Sequence, residues 1–201
     1  KLLIKQALIT FSKIDILINN AGLSMRALFN DLDLSVLKNL MDVNFWGTVY
    51  CTKYALPEIL KTKGSVVGVS SIAGYRGLPG RTGYSSSKFA MNGFMESLRT
   101  ELLKTGVHVM VACPGFTASN IRVTALAKDG ASHGETSMEE GKMMSADTVA
   151  QTIADGIVSR KRTLIMTGQG KLTVWLNKLF PALADKLVFN HFTKEKNALI
   201  K

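Results

Sequence analysis

Three short apolar runs, each set off from the next by a stretch with helical character, constrain this chain more than anything else in it: Asp15–Asn19, Ser65–Ser71 and Val107–Cys113. Each is apolar along its length rather than alternating, the pattern of a strand buried on both faces of a parallel sheet. A helix is expected from about Leu34 to Leu60, bent or shortened at Pro57. A second should run from about Thr82 to Lys104 and stop at Gly106. Lys1 to about Thr10 reads as the end of another helix. Residues 114–144 form a long polar segment with Gly130, Gly134 and Gly141. Loops of that length inside a compact domain usually carry function. Ser145-Ala146-Asp147 can cap a helix reaching about Ser159, and Thr163–Thr167 reads as a last strand. The order strand, helix, strand, helix predicts parallel pairing with right-handed crossovers, an α/β doubly wound sheet.

Chemistry is concentrated at Tyr84 and Lys88, four residues apart in Tyr-Ser-Ser-Ser-Lys, with Ser71 thirteen residues before the tyrosine and Asn44 twenty-seven before the serine. A spacing of four puts Tyr84 and Lys88 on one helix face. A nearby ammonium favours a phenolate, so Lys88 is expected to lower the Tyr84 pKa toward the working range. A phenol tuned that way can give a proton to a carbonyl oxygen or take one from an alcohol, and a serine hydroxyl can hold the same oxygen. Each residue alone has an ordinary explanation. A lone Tyr-x-x-x-Lys is usually a pair of surface neighbours, Ser71 could cap a turn, and Asn44 could satisfy a buried backbone group.

The agreement of several segments in order and spacing is what identifies the pattern. Asn19-Asn20-Ala21-Gly22, Asn44, Ser-Ser-Ile-Ala-Gly at 70–74, Tyr84-x-x-x-Lys88 and Pro114-Gly115 together resemble the short-chain dehydrogenase/reductase family, over residues 1 to about 170. The resemblance implies reversible hydride transfer between NAD(P)(H) and a carbonyl or alcohol substrate. It implies Tyr84 as general acid or base, Lys88 as its tuner and ribose contact, and Ser71 as the group orienting the substrate oxygen. Asn44 would hold a water in a proton relay. Asn20, Ala21 and Gly22 would line the adenosine ribose side, Pro114 and Gly115 the nicotinamide pocket, and Thr117 and Ser119 would bind the carboxamide. By likeness to reductase-type members NADP is expected first and NAD second, and a homodimer or homotetramer is expected.

One departure is large. The family opens with a strand and a glycine-rich loop that cradles the cofactor pyrophosphate, and no such loop precedes Asn19. The expectation is therefore a fragment: residues 1–169 as the C-terminal part of a Rossmann-type catalytic domain, and 170–201 as an amphipathic basic tail. Without the preceding strands, Ile16-Leu17-Ile18 should form an exposed apolar edge. The competing reading is a non-catalytic binding or regulatory protein that keeps the fold without cofactor. Two glycine patterns are set aside. Gly74, Gly77, Gly80 and Gly83 recur every three residues and are expected to let a loop turn. Gly168-Gln169-Gly170-Lys171 lacks the remaining elements of a phosphate loop.

Charge and cysteines narrow the partners. Of a net +10, residues 160–201 hold nine Lys/Arg against two Asp/Glu, and the remainder is close to balance. No interleaving of aromatic and basic residues suggests nucleic acid. Cys51 and Cys113 have no metal-ligand spacing and suit a reducing, cytoplasmic compartment. His108, His133 and His191 are scattered outside any zinc pattern and read as structural or surface residues. In the tail, Leu172, Trp175, Leu176, Leu179, Phe180, Leu183 and Leu187 recur at helical spacing among Lys171, Lys178 and Lys186, and Pro181 is placed to split the run into two helices. That pattern fits a helix packed on the domain or across a dimer interface. It also fits a peripheral membrane contact through 170–190, which would suit a lipophilic carbonyl or alcohol substrate.

Overall fold

The computed structural model describes residues 1–134, 143–194 and 197–201; part of the polar segment read at 114–144, including Gly141, lies outside the described residues. Strands β1 (Ile16–Asn19), β2 (Ser65–Val69), β3 (His108–Cys113) and β4 (Thr163–Ile165) form one parallel sheet in that spatial order. Leu17 lies beside Val66, which lies beside Val109, so alternate residues of neighbouring strands share a face. On one face Val66, Val109, Val111 and Cys113 pack against Ala55 and Ile59 of helix α3 (Gly47–Thr62) and Met91, Met95 and Leu98 of helix α4 (Thr82–Glu101). On the other face Val67, Val69, Met110 and Ala112 pack against Val149 and Ile153 of helix α5 (Ala146–Val158). Both faces of the central strands are thus apolar and covered, which explains their unbroken hydrophobic runs.

The strand order advances in one direction while α5 lies on the face opposite α3 and α4. The β3-to-β4 crossover therefore has the opposite hand to the other two, and the expectation of uniformly right-handed crossovers fails there. The handedness preference arises where a twisted strand feeds directly into a helix. Here the chain first runs through residues 114–145 before α5 begins, so that constraint is relaxed.

The helix expected over 34–60 is three pieces: α2 (Leu34–Leu40), a π-helical segment Met41–Trp46, and α3. Asp33 caps α2 by accepting from the Ser35 N–H at 2.8 Å. Pro57 does not end α3, which continues to Thr62. The irregularity comes earlier, in the π segment, and that segment carries Asn44. Among the four evenly spaced glycines only Gly80 has a positive φ, of 68°. Gly74 and Gly83 serve close packing instead; a Cβ on Gly74 would lie 2.7 Å from Asn92 Nδ2 and 2.9 Å from the Lys88 carbonyl oxygen. His108 is a structural tie, with Nδ1 3.1 Å from Ser65 Oγ and Nε2 2.8 Å from the Lys161 carbonyl oxygen.

Helix α1 (Leu2–Phe11) has no fully buried residue and touches the core only at its margin, through the partly buried Ile4. β1 is an edge strand whose outward-facing Ile16 and Ile18 are 49% and 47% exposed, the open apolar edge expected of that run. At the other end of the chain α6 (Gly168–Leu179) and α7 (Pro181–Phe192) form a helical hairpin broken at Pro181.

The turn from α3 into β2 sets where β2 enters the sheet. Ser65 N–H donates to the Asp15 carbonyl at 2.8 Å, and a Cβ at Gly64 would sit 1.9 Å from that same oxygen. Backbone cannot yield as a flexible side chain does. Gly64→Ala should therefore destabilise the fold by about 2 kcal/mol or more, read as a lower urea midpoint. An unchanged midpoint would show that the β1–β2 junction is not as tight as described.

Candidate active site

The length of β1, the ends of β2 and β3 with the loops that follow them, and α5 line an open cavity of about 1000 Å³. Its position at the C-terminal edge of the strands is where open α/β sheets bind ligands. Ten of the eleven residues singled out in the sequence line it: Asn20, Ala21, Gly22, Ser71, Tyr84, Lys88, Pro114, Gly115, Thr117 and Ser119. The eleventh, Asn44, is fully buried immediately behind the wall.

Asn44 acts as a clamp. Its Nδ2 donates to the Leu23 carbonyl at 2.9 Å and to Ser87 Oγ at 2.8 Å, while its Oδ1 accepts from the Leu23 N–H at 2.7 Å. Three segments meet in one side chain: the π-helical turn, the loop after β1, and α4. Ser87 in turn donates to the Tyr84 carbonyl at 2.8 Å, so the clamp reaches the tyrosine's own backbone. A Cβ on Gly22 would lie 3.4 Å from both Asn44 Oδ1 and Lys88 Nζ, so the amide and the ammonium both crowd the face of that glycine where a side chain would stand. Asn19 is held similarly, its Nδ2 donating to Thr52 Oγ1 at 3.1 Å inside the core.

Ser71 ends the extended segment after β2, and its Oγ accepts from the Ala73 N–H at 3.1 Å. The same hydroxyl is close enough to the Tyr84 phenol to influence its titration. Burial raises the Tyr84 pKa above its ordinary value; the Ser71 hydroxyl and the Arg81 charge oppose the shift without reversing it. The expected lowering by Lys88 does not occur. Lys88 Nζ lies 5.8 Å from the centre of the tyrosine ring and donates to the Val69 carbonyl at 2.9 Å. Its own pKa is pulled down to about 8, chiefly by burial. Desolvation penalises the charged form of each group, so it moves the two in opposite directions. Cys113, at the end of β3, is pushed up to about 12 by burial and stays a thiol at neutral pH.

Sequence reasoning missed Ser87 and Arg81. Ser87 was visible as the third serine of Tyr-Ser-Ser-Ser-Lys, one helical turn after Tyr84, but serines on helices commonly face solvent. Arg81 lies just before α4 and lines the cavity beside Leu78 and Tyr84. No spacing pattern marked it.

Residues 1–130 match the model of the family described as short chain dehydrogenase. The chain belongs to the short-chain dehydrogenase family. Its relatives include dehydrogenase/reductase SDR family member 7B of Mus musculus, 33% identical over 190 residues, which cover 94% of this chain and 59% of that protein. The member 7B of Xenopus laevis is 35% identical over 181 residues, covering 89% and 56% respectively. A family protein 7-like from Drosophila melanogaster is 32% identical, covering 97% and 60%. This chain thus spans less than two thirds of the length of each of these relatives. The crystal structure of a short-chain dehydrogenase from Streptomyces avermitilis shares the fold, with a TM-score of 0.73 at 21% identity, over 96% of this chain and 75% of that one.

Within this short-chain dehydrogenase the buried amine leaves a thermodynamic signature. Lys88 titrates near 8 in the folded chain against an ordinary 10.5, so between those values the unfolded chain binds more protons. The stability carried through this group is therefore fully present above 10.5 and is lost as pH falls through about 8. The unfolding free energy of the wild type relative to Lys88→Met should rise across pH 8 to 10.5, by calorimetry or denaturant titration. A difference that does not vary with pH would contradict a buried amine.

Proposed function

We propose that this chain carries the proton-transfer machinery of an NAD(P)(H)-dependent oxidoreductase that interconverts a carbonyl and an alcohol. The observation that carries the reading is the meeting of Ser71, Tyr84 and Lys88 on the wall of one cavity.

The donor set fits the nicotinamide–ribose end of the cofactor. The Lys88 ammonium has three donors, and it spends one on the Val69 carbonyl while no other protein acceptor meets it among the described residues. A ribose hydroxyl would satisfy the remainder. Asn20, Ala21 and Gly22 line the same cavity and would face the adenosine ribose, and Pro114 and Gly115 would shape the nicotinamide pocket. Gly115 is closely packed, since a Cβ there would meet Thr167 Cγ2 at 2.4 Å. Thr117 and Ser119, which line the same cavity, would bind the carboxamide, and NADP is expected before NAD. The hydride would come from, or return to, a bound nicotinamide; that is the chemistry the cofactor supplies.

The residues do the rest. Burial keeps the Tyr84 phenol protonated at neutral pH, which readies it to donate to a carbonyl oxygen in the reductive direction. Ser71 holds that oxygen as charge develops on it. Lys88, while protonated, stabilises the phenolate left behind. Asn44 fixes the Leu23 backbone, and through Ser87 the start of α4, so that these groups keep their spacing. Ile18, Leu78, Phe116, Ile121 and Val149 give the cavity an apolar lining, which supports a lipophilic substrate.

Oxidation of NADPH and NADH by the intact protein in the presence of apolar ketones and aldehydes tests the reading. Tyr84→Phe should lower kcat by about a thousand-fold and leave cofactor affinity, read by fluorescence titration, within a few-fold of wild type. Near-normal turnover in that variant would sink the assignment. In the reductive direction kcat/KM should fall as pH rises through about 8, where Lys88 loses its proton. That alkaline limb should be absent from the residual activity of Lys88→Arg, because a guanidinium does not deprotonate in this range.

A further inference from the structure

The α6–α7 hairpin has two unlike faces. Its inner face is fastened to the loop that precedes α4. Arg76 donates to Asn177 Oδ1 at 2.9 Å and to Asp185 Oδ1 at 2.6 Å, and Asn177 Nδ2 donates to the Tyr75 carbonyl at 2.9 Å. Gly170 approaches Ile72, and Phe192 lies beneath the Arg81 guanidinium, 5.5 Å from its centre to the ring. The outer face is apolar and open. Leu172, Trp175, Leu179, Phe180, Leu183 and Leu187 are each roughly half exposed, at 47–59%. Trp175 and Phe180 meet edge to face at 6.1 Å where the two helices join.

Side chains of this size are rarely left in water as a contiguous group without an occupant. The charges beside them say which occupant fits. Lys171, Lys178 and Lys186 are exposed at the flanks of the apolar stripe. Asp185 is the sole carboxylate in the sequence of the two helices, and it is turned to the domain by its ion pair with Arg76. The outer face therefore presents apolar and aromatic groups framed by positive charge only. A second copy of the chain would set these lysines against one another or bury them, and lysine is depleted from protein interface cores. At a bilayer surface the same lysines extend to anionic headgroups while the tryptophan and leucines enter the acyl boundary. No helix among the described residues is long and apolar enough to cross a membrane, so contact through this face is peripheral.

We propose that the outer face of the α6–α7 hairpin docks the protein on anionic lipid bilayers. The hairpin is bound through Arg76 to the loop bearing Arg81, which lines the cavity, so docking holds the cavity-lining loop close to the lipid surface. This inference is independent of the reaction assigned above.

The test is co-sedimentation of the 201-residue chain with vesicles of 70% phosphatidylcholine and 30% phosphatidylserine, against pure phosphatidylcholine. Binding to the anionic vesicles, weakened at high salt and lowered at least about ten-fold in Lys171→Glu/Lys178→Glu/Lys186→Glu, is the expected result. A second measurement needs no change to the hairpin: in Trp46→Phe, Trp175 becomes the only tryptophan. Its emission should shift to the blue and be quenched by brominated lipid on docking. Absence of binding, equal binding by the charge-reversed variant, or a Trp175 emission that bound vesicles leave unchanged would each overturn the proposal. So would sedimentation velocity showing that Trp175→Glu dissociates a dimer while vesicle binding is unaffected.

Discussion

One side chain, the Asn44 amide, holds the cavity together. It is fully buried and makes three hydrogen bonds, two to the Leu23 backbone and one to Ser87. A buried polar group left unpaired costs about 1–3 kcal/mol, so the loop after β1 and the start of α4 cannot move apart without exposing or orphaning it. The π-helical segment follows from that demand. A regular helix rotates each residue by a fixed angle, and one widened turn re-aims a side chain without breaking the helix. Here the widened turn comprises Met41–Trp46, with the Asn44 carbonyl still occupied by Thr48 Oγ1 at 2.9 Å. Local irregularity at Asn44 is thus linked to order at Gly22 and Tyr84, which both line the cavity.

The electrostatics of the site rest on exclusion of water more than on pair attraction. Tyr84 rises and Lys88 falls in pKa for the same reason, since the charged form of each is the one that loses solvation. The result at neutral pH is a protonated phenol near an ammonium that is easily discharged. Such a pair is charged on one side only, and in the proposed reaction it would stay so until a reacting oxygen took the phenolic proton. At that moment the phenolate and the ammonium would become partners, in surroundings where their attraction is strong. An unpaired buried charge is costly in the resting chain and useful in the reacting one, which is why groups of this kind collect at active sites.

Much of this was legible in the residues, and the failures have definite causes. β2 and β3 could be read because strands covered on both faces must be apolar throughout, as Val66–Val67 and Val109–Met110–Val111 are. The division of the tail at Pro181 was legible because proline is favoured at the first position of a helix and cannot extend the one before it. The shortening expected at Pro57 by the same logic does not occur. Pro57 lies within α3, where Ala55 and Ile59 on either side are fully buried against the sheet, and their packing offsets the lost hydrogen bond. The π segment has no compositional mark, because its geometry answers to Leu23 and Ser87, which are distant in sequence. The spacing of Tyr84 and Lys88 gave their shared helix face, but the sign of the tyrosine shift depends on how dry the cavity is. That is a property of three loops together and of no single motif.

The chain carries two exposed apolar surfaces, and their physics differs. Ile16 and Ile18 lie along a parallel edge strand with no further strand beside it among the described residues, and with Ala154, Ile157 and Val158 of α5 they line the cavity. Their surroundings hold open backbone donors and acceptors, so strand pairing would satisfy that edge as well as cover it. The hairpin surface has no such need. Its backbone is closed by α6 and α7, its single carboxylate is committed to Arg76, and its remaining charges are lysines. An occupant there gains from burial and from charge but not from backbone hydrogen bonds. A lipid surface offers those two gains and no others, whereas a protein strand is the natural complement of the β1 edge. Apolar area alone does not distinguish the two surfaces; the state of the backbone and the sign of the neighbouring charge do.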